Sequence, residues 1–162
     1  MAIADEPPQE QQPSIQPLLP IFVYGTLMAA PILAWVLTGS SENAASILSR
    51  RKRAHICGFR RHPVRGSDYP ALVRTEGSVV DGFLVFPKNQ AEWNKLDNFE
   101  GETYDRTLVN AVGEDGMGLE AYVYLWAGPQ DALDVGCWDF AHFERERLDD
   151  WLALFDGMEM IG

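Results

Sequence analysis

Apolar residues first gather at Ile21-Phe22-Val23-Tyr24, a run of β-branched and aromatic side chains broken by Gly25. A short run bounded in this way predicts a buried strand. Pro31 then suits the first turn of a helix. Ile32, Trp35 and Val36 follow at helical spacing until Thr38-Gly39 ends the pattern. Ser40 to Ser49 shows a weaker pattern and predicts a loop with a helical turn. The middle of the chain offers strand candidates at Ala54 to Arg61, Ala71 to Arg74 and Ser78 to Phe86. Punctuation such as Arg65-Gly66-Ser67 and Tyr69-Pro70 separates them. A helix is predicted from about Asn89 to Phe99, with Trp93, Leu96 and Phe99 on one face. Alternation returns over Arg106 to Val112 and Leu119 to Trp126. These flank Glu114-Asp115-Gly116-Met117-Gly118, a hairpin signature. Finally, Cys137 to Phe155 carries Phe140, Phe143, Leu148, Trp151, Leu152 and Phe155 among charges, which predicts an amphipathic helix. Strands in the middle with helices at the flanks predict an α+β domain with a mixed or mostly antiparallel sheet.

Ahead of Pro20 the pattern is absent. Residues 1–19 are rich in Pro, Gln and Glu and predict a disordered tail, leaving 20–162 as the domain. A length of 162 residues suits one domain with such a tail. The formal charge of −11 argues against nucleic acid and against anionic membrane surfaces as partners. No stretch approaches the roughly 18 apolar residues of a membrane span. The opening MAIADEPPQEQQPS lacks the basic flank and apolar core of a secretory signal. Cys57 and Cys137 are the two cysteines and form no C-x-x-C pair, so neither a zinc knuckle nor a disulfide scaffold is indicated. The chain is read as soluble and cytoplasmic.

Candidate chemistry concentrates in two places. Glu100 closes the apolar stripe of the predicted Asn89–Phe99 helix and is followed at once by Gly101. A carboxylate at the end of an element beside aromatic surface can be buried enough to titrate near neutrality, and can then act as acid and base. The plainer reading is a solvated helix-end charge. Tyr104 and Arg106 are close enough in sequence to lean over the same spot. Asp97 and Glu102 are read as facing outward. The other place is the Tyr24-Gly25-Thr26-Leu27 turn. A glycine there lets backbone approach a ligand, and successive free N–H groups can hold an anion; a strand-terminating glycine is the plainer reading. His55, His62 and His142 show no metal-ligand spacing, and Cys57 reads as inert packing in an apolar strand. Arg50-Arg51-Lys52-Arg53 reads as a solvated loop, and Trp138-Asp139-Phe140 as an anchor for the last helix.

Together, Phe22-Val23-Tyr24-Gly25-Thr26-Leu27 and Leu96-Asp97-Asn98-Phe99-Glu100-Gly101, followed by Tyr104-Asp105-Arg106, resemble the two signatures of the gamma-glutamylcyclotransferase-like superfamily. Tyr69-Pro70-Ala71, Ala121-Tyr122-Val123-Tyr124 and Trp138-Asp139-Phe140 are similar to its branch of plant avirulence-induced proteins and fungal relatives. The likeness runs from about residue 20 to about residue 155. It implies a small mixed β-barrel flanked by helices, with a cavity where the first turn meets the glutamate. It further implies that backbone from Tyr24, Gly25, Thr26 and Leu27 on to Met28 and Ala29 binds a gamma-glutamyl group. Tyr69, Tyr104 and Tyr124 would complete the pocket. Glu100 would be the acid/base of an intramolecular reaction releasing 5-oxoproline and an amine. The partner would be a small gamma-glutamyl substrate, with no metal or organic cofactor. The leaving group stays open, because Thr26 and the Trp138 region point to different branches. A non-catalytic binding or stress-response module, and an acid/base enzyme recruited to secondary metabolism, are the alternatives.

Overall fold

The computed structural model describes residues 18–101 and 103–156. The expected tail lies outside the described residues except for Leu18 and Leu19. The Leu19 carbonyl accepts a hydrogen bond from the Trp93 indole at 3.2 Å.

Five strands close into a barrel in the order β1-β3-β2-β4-β5. They are β1 (Ile21–Val23), β2 (Arg51–Pro63), β3 (Pro70–Val85), β4 (Tyr104–Gly113) and β5 (Gly118–Trp126). β1 is the closing piece: it runs antiparallel to β3 and parallel to β5, so the sheet is mixed. Its three residues suffice because side chains on a strand alternate between faces. Phe22 joins a core with Ile56, Phe59, Leu72, Val80, Ala121 and Val123 from the other strands. Ile21 and Val23 face the second core, which the helices cover. Gly82 permits the closure, since a Cβ there would fall on the Val23 carbonyl oxygen.

The helices are α1 (Ala30–Thr38), α2 (Ala44–Ile47), α3 (Gln90–Glu100), α4 (Phe140–Glu146) and α5 (Leu148–Asp156). Pro31 sits in the first turn of α1. Asn89 caps α3 by accepting from the Glu92 N–H at 3.0 Å. Asp139 caps α4 in the same way through Ala141 N–H, and the Trp138 indole donates to the Asp68 carbonyl at 2.9 Å. Among the described residues no helix is long and apolar enough to cross a membrane.

Four local expectations are corrected. The two strands predicted at Ala71–Arg74 and Ser78–Phe86 are one strand, β3, which pairs with β2 on both sides of a bulge. The predicted last helix is two helices, broken at Arg147, whose guanidinium holds Asp68 and Asp150. Arg51 to Arg53 belong to β2, where the Arg51 and Arg53 guanidinium groups lie over the Phe83 ring. Arg50 pairs with Glu92. Cationic heads thus cover aromatic surface instead of extending into a loop. Cys57 is exposed rather than packed, because strand alternation turns Ala54 and Ile56 into the core and leaves Cys57 on the outer face.

Candidate active site

Chain leaving β1 enters a tight turn over Thr26–Met28. Gly25 is needed there for space: a Cβ would come within 2.8 Å of the Pro70 ring. Pro70 is itself fixed, since its carbonyl accepts from the Tyr104 hydroxyl at 2.7 Å. Met28 N–H donates to Gly25 O at 2.9 Å and Ala29 N–H to Thr26 O at 3.0 Å. These bonds close the turn, while the N–H groups of Gly25, Thr26 and Leu27 meet no acceptor among the described residues. Arg61 pins the turn, its Nη1 donating to the Tyr24 carbonyl at 3.0 Å.

Opposite stands the end of α3. Glu100 is its last residue, and Gly101 stops it at φ 76°, a left-handed conformation that glycine adopts without strain. Glu100, Tyr69 and the Tyr24–Leu27 turn line a cavity of about 30 Å³, room for roughly one small polar group. An outer cleft of about 310 Å³ shares Thr26, Tyr69, Glu100 and Tyr104 with it and adds Phe99, Thr103, Trp151 and Phe155. Glu100 therefore borders both spaces.

Glu100 keeps some solvent access, yet protein packs densely around its carboxylate. Burial first, and the charge of Asp97 second, push its pKa up to about 8. No described residue donates a hydrogen bond to it. The carboxyl is consequently poised to exchange a proton near neutral pH.

The tyrosines have other work. Burial pushes the hydroxyls of Tyr24, Tyr104 and Tyr124 well above the ordinary tyrosine value, so all three remain protonated donors. Tyr24 donates to the Tyr124 carbonyl at 2.5 Å, and Tyr124 donates to Asp97 Oδ1 at 2.6 Å. Asp97 Oδ2 accepts from Arg106 at 3.1 Å, and Arg106 lies over the Trp93 and Tyr122 rings. A continuous chain of contacts thus ties the β1 turn to the last turn of α3.

Of the residues singled out from sequence, Tyr24, Gly25, Thr26, Leu27, Tyr69, Glu100, Tyr104 and Tyr124 line the inner cavity. Met28 and Ala29 line neither space; they are buried, and their N–H groups close the turn. Arg106 does not lean over the cavity but pairs with Asp97. Asp97 is half-buried and bonded to Tyr124, contrary to the outward position expected for it. Glu102 lies outside the described residues. Two contributors were missed. Asp97 stands three residues before Glu100, a spacing that puts both on one helix face. Arg61 left no signal, because its contact with Tyr24 spans 37 positions.

Residues 21–140 match the family model described as gamma-glutamyl cyclotransferase, AIG2-like. The chain belongs to this family. Among its relatives is AIG2-like protein D of Arabidopsis thaliana, 29% identical over 136 residues, covering 83% of this chain and 84% of the relative. Protein AIG2 C of the same plant is 25% identical over 139 residues, covering 85% and 79%. A solution structure from Arabidopsis thaliana superposes with a TM-score of 0.62 at 24% identity, over 88% of this chain and 84% of that one. A solved gamma-glutamyl cyclotransferase superposes with a TM-score of 0.51 at 13% identity, over 88% and 89%. At such identities these structures establish the fold: the family's small barrel with flanking helices.

Proposed function

We propose that the chain is a gamma-glutamyl cyclotransferase whose single acid/base residue is Glu100. The observation carrying this reading is a carboxyl titrating at about 8 that faces a turn with free N–H groups across a space for one small polar group.

The N–H groups of Gly25, Thr26 and Leu27 accept the substrate's α-carboxylate, as a concave run of backbone donors accepts an anion. Its α-ammonium then lies toward Glu100, which takes one proton from it. The freed amine attacks the substrate's own γ-carbonyl, closing a five-membered ring. As the C–N bond to the leaving group breaks, Glu100 returns the proton to the departing nitrogen, and the second proton, shed by the ring nitrogen as it becomes an amide, leaves with the amine as its ammonium. The products are 5-oxoproline and an amine; no water, metal or cofactor enters the balance. Because nucleophile and electrophile share one molecule, folding the substrate into its ring-closing conformer supplies much of the rate. The partner is a small molecule, neither nucleic acid nor membrane, and the site of action is the cytoplasm.

The test is 5-oxoproline release from a panel of gamma-glutamyl dipeptides, gamma-glutamylamines and glutathione. Glu100→Gln keeps the shape but cannot take the proton, so turnover should fall by about 10²–10⁴-fold or more. Absence of product from every panel member would end the reading. Glu100→Gln with full turnover would reassign the base.

A further inference from the structure

Resting on the cyclotransfer reading, the outer cleft raises the question of what leaves. The inner cavity takes the carboxylate end, and Glu100 stands between the two spaces, so the leaving group extends into the 310 Å³ cleft. Its wall is aromatic. Phe99 and Trp151 both meet Phe155 edge-on, with ring centroids 6.4 and 5.9 Å apart. Phe155 in turn stacks on Trp35 at 4.2 Å, anchoring this wall to α1.

Charge is the second observation. All 13 lysines and arginines of the chain fall within the described residues, between Arg50 and Arg147, and none lines either space. The cations nearest the cleft in sequence are committed elsewhere: Arg106 to Asp97, Arg147 to Asp68 and Asp150, Arg65 to Asp134, and Lys95 to the Leu37 carbonyl. Nor do the described residues lining the cleft offer a spare carboxylate for an ammonium. Glu100 is the carboxylate among its described lining residues, and the neighbouring Asp68 is held by Arg147 and by the Trp151 indole at 2.8 Å. A charged tail would lose hydration there without gaining a partner, whereas an apolar tail gains aromatic contact.

We infer that the outer cleft is a leaving-group subsite for uncharged apolar amines, aromatic ones above all, and that it rejects leaving groups carrying a carboxylate. The substrate class is accordingly gamma-glutamyl amides of arylalkyl or alkyl amines rather than gamma-glutamyl amino acids or peptides. The reaction then releases a free apolar amine and 5-oxoproline.

A matched pair decides it: gamma-glutamyl-2-phenylethylamide and gamma-glutamylphenylalanine differ by one carboxylate. The amide should have the higher kcat/KM by on the order of 10-fold or more, the scale of discrimination when a buried polar group goes unpaired. Thr103→Arg supplies a cation at the exposed rim of the cleft, where only the Thr103 main chain is engaged, its carbonyl accepting from Ala127 N–H. This variant should raise kcat/KM for the phenylalanine conjugate and narrow the gap. Equal or reversed preference in the parent chain, or a gap unmoved by Thr103→Arg, overturns the subsite and leaves cyclotransfer standing. Calorimetry of the same pair on Glu100→Gln reads the subsite apart from chemistry. Tighter binding of the amide without turnover by the parent chain would support the subsite while ending the reaction proposed. Binding of neither compound overturns both.

Discussion

Glu100 is held in a place that suits its protonated form, and this has consequences in opposite directions for activity and for stability. As the proposed base it must first lose its proton, so kcat/KM should rise with pH on a limb centred near 8. Part of that elevation comes from Asp97. Asp97→Asn keeps an acceptor for the Tyr124 hydroxyl but removes the neighbouring charge. The limb should therefore move to lower pH, by tenths of a unit to about one unit. A limb that stays in place would separate Asp97 from the tuning of Glu100. Stability is expected to behave in the contrary sense. With a folded pKa of about 8 and an ordinary value of 4.5, the folded chain binds more protons than the unfolded one between these values. Through Glu100 the parent protein loses stability as pH rises from about 4.5 to about 8, a contribution that Glu100→Gln lacks. The variant's stability advantage, followed by thermal melting, should grow across this window and level off above it, reaching a few kcal/mol at most. A flat difference curve would mean that the carboxylate is not desolvated. At this scale the sequence was informative for Glu100, because a helix end, a glycine and an apolar stripe announce each other locally. It misled for Asp97, since nothing nearby shows that Tyr124 and Arg106 converge on that carboxylate.

At the scale of elements, the β1 turn and the start of β3 are packed so closely that one methyl group decides their fit. Gly25→Ala would place a Cβ 2.8 Å from two atoms of Pro70, whose carbonyl is held by the Tyr104 hydroxyl. Overpacking of this kind costs typically about 1–3 kcal/mol. The melting temperature should fall, and any 5-oxoproline release should fall further, because the displaced backbone is the proposed anion site. A melt unchanged from the parent would mean that Pro70 yields freely. Local patterning revealed β1, α1, α3 and the β4–β5 hairpin, since their periods and end signals lie inside the elements themselves. It failed where a distant partner decides. Thr75 to Gly77 looks like a break between strands, yet β2 supplies partners on both sides, with Cys57 opposite Val79 and Phe59 opposite Arg74. The predicted last helix is interrupted at Arg147, which reaches Asp68, 79 positions away. Barrel closure is likewise invisible locally, because a three-residue strand pairs with two neighbours remote in sequence.

Over the whole molecule, net charge is the property that sequence states most directly, and the fold adds where the positive charges are not. With a formal charge of −11 and no cation lining either space, the approach to the site is predominantly negative. Such a field changes encounter rates with charged ligands and is screened by salt, the Debye length falling from about 30 Å at 0.01 M to about 8 Å at 0.15 M ionic strength. A gamma-glutamyl amide of an uncharged amine is a zwitterion without net charge, whereas a gamma-glutamyl amino acid carries one net negative charge. Raising ionic strength across that range should therefore increase kcat/KM for gamma-glutamylphenylalanine several-fold and leave gamma-glutamyl-2-phenylethylamide nearly unchanged. The measurement is initial rates for both compounds at fixed pH in a salt series. Thr103→Arg should flatten the slope for the phenylalanine conjugate, because a cation at the rim offsets the repulsion locally. Parallel slopes for the two substrates would show that repulsion does not govern entry, leaving discrimination between them to contacts made inside the cleft.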